Sequence, residues 1–546
     1  MKKLLIRVVS IGGLLGIMVL FTGCTGIFGG EEPEAGATLV YHSNGAQSGS
    51  VPVDSRQYLP GDVAVVFGNT GSLAKPGFSF SGWNTQADGG GTPYAGGDSF
   101  IFGSESTDLY AQWQVVPETY LVTYDGNGAD SGEPPVDDTT YQSGASVTAA
   151  VVPGDLTRSG YGILSWNTEP DGSGVSYAPG DSFLIEGEDV TLYAEWFALV
   201  ADVALGYDHS FIVTTQGTLF AMGRNSNGQL GLGDTDDRLL PTPVPTDEPI
   251  TAASAGLSHS LLVDETGAVW AAGWNIAGQL GLGDTDDRNT FTALTGITNG
   301  LDVQAAYAFS TILTTDGTVF GMGQNQYGQI GDNTTTDKDS PAQSPGITTA
   351  VALASAGWAQ SHTIILTSPG SVLSVGANHS GQLGVGDTTS RSIPAAVSSP
   401  TDVVAISTGG FHTLYLTADG TLYGTGSSSQ GQLGGGANAE GTEDPYEIMT
   451  GVAAMSAGDE YSMVITQDGT LLASGLNEDG QLGLGHTSTI YEFLPVMDDV
   501  AAVYAGIEHT LIVKTDGTLW AAGANDRGQL GDGTLITRPT PVRITY

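Results

Sequence analysis

Gly228-Gln229-Leu230-Gly231 returns six more times before the C-terminus, at Gly278, Gly328, Gly381, Gly431, Gly480 and Gly528, with Ile330 replacing leucine in the third copy. The step is about fifty residues throughout. A fixed step of that size means a ring or stack of like units, because no single unit buries its apolar face alone. The last copy shows the frame best: Gly506-Ile507-Glu508-His509-Thr510, an apolar run Leu511 to Val513, a turn at Asp516-Gly517, a second run Thr518-Leu519-Trp520, then Gly523 and Asn525.

Each unit has a Gly-Thr turn, or a variant such as Gly370-Ser371, between two apolar runs at hairpin spacing. Another strand precedes each Gly-x-x-His segment, as in Val403 to Ile406, and a Pro-bounded one follows Gly-Gln-Leu, as in Pro541 to Ile544. Four short strands per unit predict one propeller blade, and seven such blades close a ring. The array opens at Val203 without a preceding Pro-bounded strand and ends on one. Pro541 to Tyr546 is therefore expected to complete the first blade, joining both ends of the array in one sheet and removing two exposed edges.

Two copies of another module precede the array, related by a shift of 83 residues. Tyr41 matches Tyr124, Trp83-Asn84-Thr85 matches Trp166-Asn167-Thr168, and Leu109-Tyr110-Ala111-Gln112-Trp113 matches Leu192-Tyr193-Ala194-Glu195-Trp196. Short alternating segments between Gly, Asp, Asn and Pro clusters read as strands joined by turns. In so small a module the aromatics Trp83, Trp113, Trp166 and Trp196 are expected in the core rather than stacking on sugars. The Tyr-x-x-Asn-Gly opening, the Trp-Asn-Thr centre and the Leu-Tyr-Ala-x-Trp close resemble the internalin B-type, or Listeria–Bacteroides, repeat. That resemblance implies a small β-grasp-like fold used in strings on bacterial surface proteins, with no catalytic residues.

Charge is lopsided: 59 acidic against 15 basic residues, a net of −44. Such a surface repels phosphate backbones, so nucleic acid is not an expected partner. It suits solubility, or binding of cations or of a basic partner. The single cysteine, Cys24, leaves no internal disulfide and no cysteine metal cluster. Before it stand Lys2, Lys3 and Arg7 and an apolar run Val8 to Phe21, short for a membrane span and right for a secretory leader. Phe21-Thr22-Gly23-Cys24 resembles the bacterial lipobox, with phenylalanine where leucine is usual, which implies a lipid-bearing Cys24 as mature N-terminus. The expected organisation is a signal peptide over 1–23, a flexible acidic tether over 24–38, repeat modules over 39–113 and 120–196, and the propeller over 200–546. The chain is then all-β, exported and lipid-anchored, in the outer membrane or at the cell surface.

The Gly-x-x-His-Ser/Thr, Gly-Thr-x-aromatic and Asn-x-x-Gly-Gln-Leu-Gly signatures of the array resemble the regulator-of-chromosome-condensation (RCC1) repeat family. Phe309 and Tyr461 depart from the histidine, and Ser428 from the asparagine. What recurs in every blade reads as scaffold, since one active site needs its residues once. His209, His259, His362, His412 and His509 are expected to bond between blades, because neighbouring sheets about 10 Å apart hold equivalent atoms too far apart to share a metal. Asp234-Thr235-Asp236-Asp237 and its copy at Asp284 leave calcium open as a weak alternative. No catalytic residue, cofactor or metal site is expected.

In several propellers of this family the variable pair of Gly-x-x-His faces one rim and contacts a protein. Carried over to this chain, Tyr207, Asp208, Tyr307, Trp358, Phe411, Asp459, Glu460 and Glu508 become the candidate partner-binding residues, aromatics as anchors and acids selecting a basic ligand. The resulting reading is a non-catalytic surface lipoprotein that displays a protein-binding propeller on a repeat stalk. An extracellular enzyme, for instance polysaccharide-degrading with its site in the funnel, and a passive structural component of the envelope are the alternatives. Guanine-nucleotide exchange, known in eukaryotic relatives, is not expected of an exported chain. The anchor has a direct test: Cys24→Ser should abolish lipid labelling and release the protein from the membrane fraction, and unchanged retention would sink the lipobox reading.

Overall fold

The computed structural model describes residues 36–356, 360–436 and 441–546. The leader, Cys24 and most of the tether lie outside the described residues. The described residues contain strands and turns and no α-helix. The described residues up to Thr119 form one compact unit and those from Tyr120 to Tyr546 another.

In the first unit Leu39–His42 lies parallel to Thr107–Val115, which pairs antiparallel with Phe78–Asn84, and Pro93–Tyr94 completes the sheet. Val63–Val65 and Ser99–Ile101 form a separate ribbon. Trp83 is buried against Tyr41, and its indole N–H donates to the Phe67 carbonyl at 2.7 Å. Asn44 explains the Asn-Gly opening: it sits in the left-handed region at φ 44° and its amide reaches the Ala87 and Ala111 carbonyls. The module beginning at Tyr120 repeats the plan, with Asn127 at φ 47° and Trp166 fully buried. Trp113 and Trp196 are half-buried and donate to backbone carbonyls of the same Asn-Gly turns. Trp83 and Trp166 are core, as expected, and Trp113 and Trp196 pack against that core from its edge.

Seven four-stranded antiparallel sheets follow. The first blade comprises Val200–Leu205, His209–Thr214, Leu219–Gly223 and Arg238–Pro243, in that order from inside to outside. The second strand of every blade is almost wholly buried, so it reads as a continuous apolar run rather than an alternation. The recurring leucine is core in every copy, from Leu230 to Leu530, and each is fully or almost fully buried.

The seventh blade corrects the expectation about the chain ends. Arg538–Ile544 pairs with Leu519–Gly523 of its own blade, and the first blade takes its fourth strand, Arg238–Pro243, from its own sequence. Every blade is thus contiguous, and no sheet mixes the two ends of the array. The Pro-bounded strand does not begin a blade: it is the outer strand that ends one.

The ring closes instead through side chains repeated at each junction. The His259 ring donates from Nε2 to Ser310 Oγ of the next blade at 2.9 Å, and that hydroxyl donates to the Gln279 carbonyl at 2.8 Å. The same pair of bonds joins His209 to Ser260, His362 to Thr413 and His412 to Ser462. Between the last blade and the first, His509 meets Ser210 at 2.8 Å, and Ser210 donates to the Gln529 carbonyl. A hydroxyl has one hydrogen and spends it on the carbonyl, so the ring must be the donor. These histidines are therefore neutral Nε2–H tautomers with a bare, buried Nδ1, in keeping with burial holding each pKa at about 3. Tyr461 replaces the histidine with a longer reach, to the His509 carbonyl and the Thr510 hydroxyl. Phe309 fills its junction apolarly, and there Thr363 keeps its bond to the Gln329 carbonyl and meets the Ser355 hydroxyl of its own blade in place of a ring.

The Gly-Gln-Leu-Gly loop adds a second tie. The Gly233 N–H donates to the Asn289 carbonyl on the outer strand of the next blade at 2.8 Å, and Gly533 does the same to Leu239 across the closure at 3.0 Å. Gly228, at φ 78°, lies so close to Asn289 that a Cβ would stand 2.4 Å from its Cα, so both conformation and space demand glycine.

Ser310→Ala would leave the His259 N–H and the Gln279 carbonyl without partners, at a cost of about 1–3 kcal/mol. His259→Phe, copying Phe309, should lower that cost when combined with it. The expected coupling in urea unfolding is more than about 0.5 kcal/mol, and strictly additive effects would contradict the relay.

Candidate functional site

The turns between the first and second strands of each blade carry the variable pair of Gly-x-x-His and ring one mouth of the central channel. The channel is a cavity of about 390 Å³ walled by the innermost strands and by Gly206, Gly256, Gly409, Gly458 and Gly506 at the start of these turns. A second ring of loops flanks the first. The Arg224 N–H donates to the Asp208 carbonyl, Trp274 to Ser258, Gln324 to Ala308 and Leu476 to Glu460, so the residues around the recurring asparagine share this rim. The asparagine itself is spent on structure: Asn225 accepts from the Leu230 N–H and donates to the Asp234 carbonyl.

The rim is sorted by charge. On the sixth, seventh and first blades stand Asp459, Glu460, Glu478, Asp479, Glu508, Asp526 and Asp208, opposed by Arg224 and Arg527. Asp208 is buried, and burial raises its pKa against the pull of Arg224, which lies 3.3 Å from it. Burial also lifts Asp459 to about 6, with Glu460 adding to the effect. Glu508 is pushed up to about 7 by burial and then by Asp479 and Asp208, and it shares a hydrogen bond with Tyr207. The second to fifth blades present Leu257, Trp274, Tyr307, Tyr327 and Phe411, half-buried, and Ile276, exposed, with no carboxylate among the same positions that the structure describes.

Comparison with known proteins places this geometry. The RCC1-like domain matches residues 294–545, RCC1 repeats match 200–229 and 216–263, and the Listeria-Bacteroides repeat domain matches 38–112 and 120–195. The chain forms an RCC1-like propeller behind two Listeria–Bacteroides-type repeats. Its fold is shared with human WBSCR16, at TM-score 0.54 and 24% identity over 60% of this chain and 94% of that one. It is shared also with yeast RCC1 (Prp20) in its complex with Kap60, at TM-score 0.54 and 21% identity over 64% and 85%. A protein of Evansella cellulosilytica, named as a Gly-rich membrane protein, is 42% identical over 164 residues, 29% of this chain and 18% of that one. The ultraviolet-B receptor UVR8 of Arabidopsis thaliana is 45% identical over 51 residues, 9% and 12% of the two chains. The chain thus spans less than a fifth of the length of these curated relatives.

One expectation about partners is corrected here. Guanine-nucleotide exchange was set aside because the leader reads as an export signal. The RCC1-like propeller itself, however, has the fold of Saccharomyces cerevisiae Prp20p, at TM-score 0.53, whose structure is described with its binding properties to Gsp1p and histones. The exclusion rested on the leader, outside the described residues, and not on anything in the propeller.

Of the candidate residues, Tyr207, Asp208, Tyr307, Phe411, Asp459, Glu460 and Glu508 come together on the one rim, while Trp358 lies outside the described residues. Sequence reasoning missed the second ring, Arg224, Trp274, Ile276, Tyr327, Glu478, Asp479 and Asp526. Its signal was present: residues beside an asparagine that recurs in nearly every blade, themselves varying from blade to blade. It also missed Asp202 and Asp302, which replace the alanine of the innermost strand on the first and third blades and line the channel. Burial lifts Asp202 to about 6, with Asp302 adding to it, and raises Asp302 as well. Asp302 accepts from the Val303 N–H and the Gln304 amide, so it is committed to its own strand. The calcium alternative meets the same obstacle, since Asp234 and Asp284 each take an arginine, Arg238 and Arg288, at 2.6 Å. Among the described residues no three His, Cys, Asp or Glu are grouped to hold a metal.

The raised carboxylates make stability depend on pH. Asp202, Asp459 and Glu508 bind protons more tightly folded than unfolded. Their contribution is complete below the ordinary carboxylate range and is lost as pH rises through about 6 to 7. Carboxylates held low, such as Asp54 at about 2, stay ionised across that window. The five buried histidines, held at about 3, act in the opposite sense over the same range, so the carboxylates are read by difference: in calorimetry at fixed ionic strength, Asp459→Asn with Glu508→Gln should raise the melting temperature more at pH 8 than at pH 5. A variant effect that did not grow with pH would contradict the raised carboxylates.

Proposed function

We propose that this protein is a non-catalytic, lipid-anchored surface scaffold that recognises a protein ligand through the rim carrying Tyr207, Tyr307 and Phe411. One observation carries the reading: blade-to-blade variation concentrates on this rim, whereas the histidine, hydroxyl, glutamine and leucine positions beneath it repeat. The rim offers half-buried aromatic anchors on one side and an acidic arc on the other, the combination that gives an interface both affinity and orientation. The module at Tyr120 supports the reading by its attachment. It joins the opposite ends of the blades, where Leu199 donates to the Gly160 carbonyl and Thr215 to the Leu199 carbonyl, each at 2.9 Å. Tyr546 adds a bond to the Ala198 carbonyl. The binding rim is therefore left open by the module that carries the propeller.

The test is affinity capture from a native extract with the full chain as bait, followed by titration of whatever single partner is recovered. Tyr307→Ala with Phe411→Ala should weaken that partner at least thirtyfold, the scale of about 2 kcal/mol expected of anchor residues. Neutralising Asp459 and Glu460 should mainly slow association and flatten its salt dependence. Absence of any saturable partner would favour the passive structural alternative.

A further inference from the structure

A cavity of about 270 Å³ opens between the first and second blades, away from the rim, and its origin is legible in the repeat. Its apolar walls are Leu232, Ile250, Leu262, Trp270 and Phe291, and its carboxylates are Asp247, Glu248 and Asp264. One repeat further on, Leu282, Ile312 and Phe320, the counterparts of Leu232, Leu262 and Trp270, pack in one cluster with Ile297. Ile297 is the counterpart of Asp247, fifty residues on, and is 4% exposed. Ile347, a further repeat along, is buried in the same way at the next junction. At the first junction the plug is an aspartate, which turns out to solvent and leaves the space behind it open.

What the cavity gained in place of isoleucine is negative charge beside an aromatic wall. Leu232, Trp270 and Phe291 remain half-buried, and no lysine or arginine is among the lining residues. Asp264 is held ionised: hydrogen bonds from Thr266 and the Trp270 indole bring its pKa below the usual range in spite of burial. Indole and phenyl faces attract cations, most strongly where water is excluded, and unpaired carboxylates at the mouth reinforce the attraction. At about 30 Å³ per water, the cavity holds about nine waters, the room for a ligand of similarly few heavy atoms. We propose that this cavity is a binding site for a small organic ammonium ion with an apolar body, held between Trp270 and Phe291 with its charge toward Asp247 and Glu248.

The probes are choline and its neutral isostere 3,3-dimethylbutan-1-ol, titrated calorimetrically into the full chain. Choline should bind saturably at one site, and the isostere at least tenfold more weakly. Asp247→Ile, which restores the plug of the later repeats, should abolish choline binding and raise the melting temperature. Trp270→Leu, copying Leu373 and Leu472 at the same position of other blades, should weaken choline at least tenfold. Should Asp247→Ile fail to fold, Asp247→Asn with Glu248→Gln must still lower choline affinity severalfold. No saturable choline binding, equal binding of the isostere, or full binding by the charge-neutralised variant would overturn the proposal.

Discussion

A hydroxyl with one hydrogen to give, placed between a histidine ring and a backbone carbonyl of the preceding blade, is the interaction on which the rest of this propeller depends. The strand ladders do not run from one blade to the next, and loop bonds such as Gly233 to Asn289 tie the blades only at their edges, so apolar side chains alone would allow the sheet faces to slide. The relay His259–Ser310–Gln279 and its four copies fix the register at five of the seven junctions, fully buried and without a formal charge. Desolvating a neutral imidazole is far cheaper than desolvating an imidazolium, and burial keeps the ring neutral. The ring thereby closes on itself through His509 and Ser210 with the bonds used at four other junctions, and no exchange of strands between the chain ends is needed.

That economy explains where variation is tolerated. Glycine, hydroxyl and glutamine are tied up in every blade, histidine in all but the two with Phe309 and Tyr461, and leucine in all but the one with Ile330, so substitution there opens a buried polar group or a cavity. The two residues before the histidine and those around the asparagine contribute mostly backbone to the fold, as in the Arg224 N–H to Asp208 carbonyl bond. Their side chains are free to differ, and they sort into an acidic arc and an aromatic flank around one mouth. The linker between the first two blades shows the same freedom used differently, where loss of one plugging isoleucine turns a packed junction into a cavity.

Most of the scaffold was legible in the chain, because a period of about fifty with apolar runs at hairpin spacing admits few architectures. The role of the histidines followed from sheet spacing, and the module tryptophans from the need of a small domain for large core side chains. The blade boundary was not legible: four strands in cyclic order look alike from any starting point, and only the pairing of Arg538–Ile544 with Leu519–Gly523 shows where a blade ends. The second ring of rim loops escaped because its placement depends on a backbone bond between the second and third strands. The buried pair Asp202 and Asp302 looked like two more acids in a chain rich in them. Their elevated proton affinity is a property of the channel and has no counterpart in the sequence.

The account's central claim is most directly tested by heteronuclear NMR of the imidazole nitrogens in uniformly labelled protein between pH 8 and pH 4.5. His209, His259, His362, His412 and His509 should all appear as neutral Nε2–H tautomers whose shifts do not move across that range. A Nδ1–H tautomer, or titration of any of the five near the ordinary histidine pKa of about 6.5, would contradict the relay and the ring closure built on it.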